Sequence, residues 1–169
     1  MKSLITIFIF ITALSGAVAQ HDHSAASHSK DQAAAVAFKD AKLGAAYEHY
    51  THLKEALVAS KSDEASKASE ELKNALKNVK GAASALTTAT KLAAAKNIEE
   101  QRLLFSAMSD QMASLVKGGQ LSSGLLYLEY CPMANNNEGA YWLSNEKQIR
   151  NPYFGDAMLK CGSVKETIQ

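Results

Sequence analysis

The stretch VAFKDAKLGAAYEHYTHLKEALVAS, residues 36–60, decides the fold. Within it Leu43, Tyr47, Tyr50, Leu53 and Leu57 recur at the spacing that gathers side chains on one face of an α-helix. The pattern breaks between Ser60 and Glu64, where Ser62 or Asp63 can cap a second helix. That helix is predicted to bury Ala65, Ala68, Leu72, Leu76 and Val79 and to end near Lys80-Gly81. A third, alanine-rich segment spans about 82–96, with Leu86, Ala89 and Ala93 on one side. Thr87, Thr88 and Thr90 weaken it, because branching at Cβ stiffens χ1. Asn97 with Glu100 resembles a capping box, and it opens a fourth helix carrying Ile98, Gln101, Phe105, Met108, Met112 and Leu115 up to Gly118-Gly119. Four amphipathic stretches with short connections predict a mainly α protein built on an up-down four-helix bundle.

The composition changes after Gly119. Leu125 to Tyr130 suits a short strand that delivers Cys131 to a turn at Pro132. Residues 135–139 read as a loop, Tyr141-Trp142-Leu143 as a second short strand, and Asn151-Pro152 with Gly155 as a turn. Tyr130, Tyr141, Trp142, Tyr153 and Phe154 concentrate aromatic surface here. The expected organisation is a single domain over 31–169: a bundle over 31–119, with a turn-rich Cys/Met module over 120–169 packed on it.

The first nineteen residues read as a secretory signal, with Lys2 before the apolar run Leu4–Leu14 and an A-x-A site at Ala17-Val18-Ala19. No later segment has the roughly 20 apolar residues of a membrane span, so a periplasmic or secreted location is expected. Residues 20–30 lack periodicity and hold His21, His23 and His28, which predicts a disordered tail with imidazoles suited to Cu(II). The formal charge of +1 falls to zero once Lys2 is removed, leaving no basic footprint for nucleic acid.

The candidate chemistry lies in sulfur. The chain's two cysteines each stand near a methionine, as Cys131-Pro132-Met133 and as Met158-Leu159-Lys160-Cys161. Thiolate and thioether are soft ligands, so Cys131, Met133, Met158 and Cys161 suit copper(I) or silver(I). Trp142 can cap such a cation with its ring face, or simply fill the module's core. The same two cysteines can instead close a disulfide, which an exported protein can keep. His49 and His52 share a helix face, as a metal pair or as ordinary half-buried residues, and they can join the sulfur site if the module packs on that helix. No hydrolase elbow, phosphate loop, zinc-protease motif or CxxC pair is present, and an enzyme is not expected.

Three elements, Cys131 to Ala134 (C-P-M-A), Gly139 to Ser144 (G-x-x-W-L-S) and Asn151 to Gly162 (N-P-Y-F-G-x-x-M-L-x-C-G), resemble the signature end of an uncharacterised bacterial exported domain family. Members of that family occur alone or fused to periplasmic adaptor subunits of heavy-metal efflux systems. The resemblance implies copper or silver handling and an efflux adaptor as partner. Many members place a histidine just before C-P-M, where this chain has Tyr130. A looser similarity links C-P-M and the downstream C-G to the short metal-binding segments of efflux adaptors.

Overall fold

Asp40 opens the first helix by accepting a hydrogen bond from the Lys42 N–H at 2.8 Å. Phe38 stands before this cap, in a short strand, β1, Ala37–Phe38. The computed structural model describes residues 35–118 and 120–169. The signal segment and the His21/His23/His28 tail lie outside the described residues.

Helix α1, Ala41–Val58, buries Leu43, Tyr47, Tyr50, Leu53 and Leu57 as the stripe predicts. Helix α2 runs Ser62–Leu76, and the residue before it, Lys61, makes no side-chain cap. It stops well before Gly81; the intervening residues form turns, so Val79 packs from a turn and not from the helix. Helix α3, Ala83–Ala94, forms despite its threonines, two of which turn their hydroxyls onto the carbonyl four residues back: Thr87 onto Ala83 and Thr90 onto Leu86. Helix α4, Ile98–Lys117, carries the expected cap, with the Glu100 N–H bonded to Asn97 Oδ1 at 2.9 Å. The reciprocal bond shifts by one residue, since the Glu100 carboxylate accepts from Lys96 N–H and not from Asn97. The four helices form a bundle in which each packs on the next and α4 returns to α1.

Short antiparallel strands follow: β2 (Leu121–Ser123) pairs with β1, while β3 (Leu126–Cys131) lies between β4 (Ala140–Ser144) and β5 (Ser163–Ile168). β1, β2 and β5 add to the two strands the sequence predicts. Among the described residues no helix is long and apolar enough to cross a membrane.

The sheet and bundle share one core. Aromatic rings connect them in a chain, Tyr50 against Phe105 at 5.4 Å, Phe105 against Tyr153 at 5.7 Å, and Tyr153 against Trp142 at 6.0 Å. Tyr50 Oη accepts the Leu143 N–H of β4 and shares a hydrogen bond with Ser109 Oγ on α4. Arg102 of α4 fastens the far side, donating to the carbonyls of Leu57 and Pro152, both at 3.0 Å. A guanidinium there adds a charged donor to a carbonyl at the end of α1 that also accepts the Ser60 N–H.

Candidate functional site

Cys131 is the last residue of β3 and is fully buried; Cys161, thirty residues on, is half-buried, and neither is bridged. Tyr130 of β3 pairs with Ser163 of β5, which brings the two thiols close enough to interact. Their hydrogen-bond interaction, followed by burial and the negative charge Cys131 can carry, pushes the Cys161 thiol up to about 11. Cys161 therefore holds its proton near neutrality. A soft cation held by both sulfurs would have to displace both thiol protons.

Asn151 places Cys161 there. It is completely buried, its Nδ2 donates to the Cys161 carbonyl at 2.8 Å, and its Oδ1 accepts the Tyr153 N–H at 2.8 Å. Its own N–H reaches the Leu159 carbonyl, so a single side chain and its backbone pin both ends of the 151–161 loop. The sequence shows Asn151 only as a turn former, because its partner lies ten residues away. Gly162 follows at φ 143, and a Cβ there would stand 2.8 Å from the Trp142 ring and 3.0 Å from the Tyr130 carbonyl. Glycine lets the loop carry Cys161 in against β3.

The methionines divide. Met158 ends a short 3-10 helix, Gly155–Met158, is half-buried, and accepts the Cys161 N–H on its carbonyl at 3.0 Å. Met133 is 47 % exposed and lines a groove with Leu103, Arg102 and Phe154, to which neither cysteine contributes. Trp142 is fully buried, edge-on to Tyr153 and against Gly162, and so belongs to the module's core while bordering the cysteine loop.

His49 and His52 face α2 and do not join the thiols. One ligand atom each from His49, His52 and Glu71 lies within 4.8 Å of the others. Among the described residues no comparable group of three ligating side chains includes either cysteine. The i,i+3 spacing on α1 makes the pair legible in the sequence, whereas Glu71 comes from another helix and gives no such signal.

Residues 46–124 match the model of a family described as Protein of unknown function (DUF3347). The match covers rather less than half of the chain and lies on the helices and β2. It stops short of Cys131, so the elements that carry the sulfur chemistry fall outside it. No curated protein matches this chain. No solved structure matches it either.

Proposed function

We propose that this protein binds a soft monovalent metal ion, Cu(I) or Ag(I), outside the cytoplasm and passes it to a heavy-metal efflux machine. The observation that carries the proposal is the close approach of two unbridged thiols from separate elements. Two thiolates satisfy an ion that accepts as few as two sulfur ligands, and the site's cover of Trp142 and β3 keeps hard, strongly hydrated cations at a disadvantage. Cys131 and Cys161 hold the ion, Met158 is the adjacent thioether, and Asn151 positions the loop. Met133, on its outward groove, suits transient capture during transfer better than a place in the buried pair. Binding releases the thiol protons to solvent, so uptake strengthens as pH rises.

Export through a signal segment and delivery to an efflux adaptor belong to the same proposal, supported by the Lys2–Ala19 pattern and by the resemblance of the C-terminal elements. Binding rather than catalysis is part of the same proposal, and the soft-ligand character of the two thiols supports it.

The thiol placement favours one other function. An oxidant of the dithiol–disulfide class can take two protons and two electrons from the pair, forming an S–S bond that closes a thirty-residue loop. That bond is worth roughly 3–4 kcal/mol and would make the module a stapled interaction domain that binds no metal.

Cu(I) titration of the reduced protein against a chromophoric chelator tests the proposal. One equivalent is expected to bind the wild type and to be lost from a Cys131→Ser/Cys161→Ser variant. Equal uptake by the two proteins would overturn it. A count of free thiols in protein taken directly from the producing cell's envelope distinguishes the staple.

A further inference from the structure

We propose a second, chemically distinct metal site, formed by His49, His52 and Glu71 across the α1–α2 groove and suited to a divalent ion of borderline softness such as Zn(II) or Cu(II). It is independent of the sulfur pair, and each site can fail without the other.

The geometry has three parts. His49 and His52 lie one helical turn apart on α1, with their rings edge to face at 6.0 Å, and Glu71 reaches them from α2. His49 Nδ1 is shielded from solvent yet makes no hydrogen bond, and its nearest partner, Glu71 Oε2, stands 3.5 Å away. A shielded ring nitrogen without a partner is costly unless something else satisfies it. The separation itself is informative. Two ligands held 2.0–2.1 Å from one tetrahedral ion stand about 3.4 Å apart, so an ion fits between atoms too distant to bond each other.

The groove's electrostatics single out Glu71. Of the other carboxylates lining it, Glu55 is held by Arg150 at 2.6 Å and by Lys54 at 2.9 Å, and Glu64 is held by Lys61 at 2.9 Å. Glu71 has the half-buried imidazole of His49 as its ion-pair partner. Two imidazoles and one carboxylate form a donor set that suits Zn(II) and Cu(II) and offers little to Cu(I). Exposure of His52 leaves a fourth position open to water, so the ion can exchange. Bound there, it links α1 to α2 and stabilises the bundle by mass action.

The test is titration of the full-length reduced protein with Zn(II), and, in a Cys131→Ser/Cys161→Ser background that cannot reduce it, with Cu(II), against a chelator. The wild type is compared with His49→Ala, His52→Ala and Glu71→Gln. The 20–30 tail and, in the Zn(II) series, the thiols are common to all four proteins, so only the difference is read. Loss of one equivalent, or at least tenfold weaker binding at it, is expected in every variant. His52 is exposed and Glu71 half-buried, so those two variants are expected to keep the wild-type melting temperature without metal, and Zn(II) should raise the melting temperature of the wild type by more than theirs. The Cys131→Ser/Cys161→Ser protein should retain this equivalent, and the histidine variants should retain Cu(I). Unchanged stoichiometry and affinity in His52→Ala and Glu71→Gln would overturn the proposal, leaving an ordinary imidazolium–carboxylate pair. Loss confined to the Cu(II) titration would identify Cu(II) as the ion, and loss confined to Zn(II) would identify Zn(II).

Discussion

Glu129 is costly to leave ionised. It lies in the middle of β3, opposite Trp142 on β4, with no exposed surface and with neither carboxylate oxygen in a hydrogen bond of good geometry. The buried Lys54 ammonium, itself paired with Glu55, and the Trp142 indole N–H offset part of the cost. Desolvation outweighs them, and the carboxyl is pushed up from 4.5 to about 7. A group whose folded pKa is raised binds its proton more tightly in the native state. Its contribution to stability is therefore complete below pH 4.5 and is lost as pH rises through about 7. The span corresponds to roughly 3 kcal/mol. Urea unfolding of the wild type at pH 5 and pH 8 is expected to show most of that loss, and Glu129→Gln to show little of it. Equal slopes in the two proteins would mean that Glu129 stays charged throughout. Nothing in the sequence marks this residue. A lone glutamate in an apolar run reads as the outward position of an alternating strand, and only the packing of both faces of β3 reveals its burial.

The cysteine loop crosses the end of α1 in close contact. Gly155 sits there at φ 56, and a Cβ on it would stand 2.9 Å from the Val58 carbonyl and 2.8 Å from Arg102 Nη2. Gly155→Ala combines left-handed strain with a backbone collision and is expected to lose about 2–4 kcal/mol in thermal or urea unfolding. Gly44, inside α1, is the control: a Cβ there meets the Phe38 ring at 3.4 Å and its φ is ordinary, so Gly44→Ala should gain up to about 1 kcal/mol. Equal effects of the two substitutions would refute the assignment of Gly155 to a crossing point. The element scale is also where the sequence is most readable. The four helices follow from apolar stripes and the Asn97 cap, because helical order is encoded within a few residues. β5 escapes because Ser163–Ile168 is an edge strand buried chiefly at Ile168, so its pattern has no alternation to detect. The candidate sites divide the same way. Cys131, Cys161, His49 and His52 stand out by type and spacing, whereas Glu71 and Asn151 act on partners that only tertiary contact supplies.

Across the whole molecule, the decisive fact is that the cysteine module has no core of its own. Trp142 is buried against Tyr153, Tyr153 against Phe105 of α4, and Phe105 stacks on Tyr50 of α1. Tyr50 Oη then ties α4 to the backbone of β4 through Ser109 and Leu143. Burial raises the Tyr50 phenol well above its ordinary range, so this hydroxyl keeps its proton and its hydrogen bond with Ser109 at every physiological pH. An ion bound at either site consequently stabilises the entire unit, because neither half can unfold without exposing this shared row of rings. Thermal unfolding followed by far-UV circular dichroism, which reports the helices, and by the emission of Trp142, which reports the module, is expected to give coincident transitions. Cu(I) at a hundredfold excess over its dissociation constant should shift both by the equivalent of about 2.7 kcal/mol. Tyr50→Phe should lower both together by about 1–2 kcal/mol, since it leaves the Leu143 N–H and the Ser109 hydroxyl buried without their partner. If the tryptophan signal melted first and Cu(I) moved it alone, the module would be a detachable head, and the row of rings could not couple metal binding to the bundle.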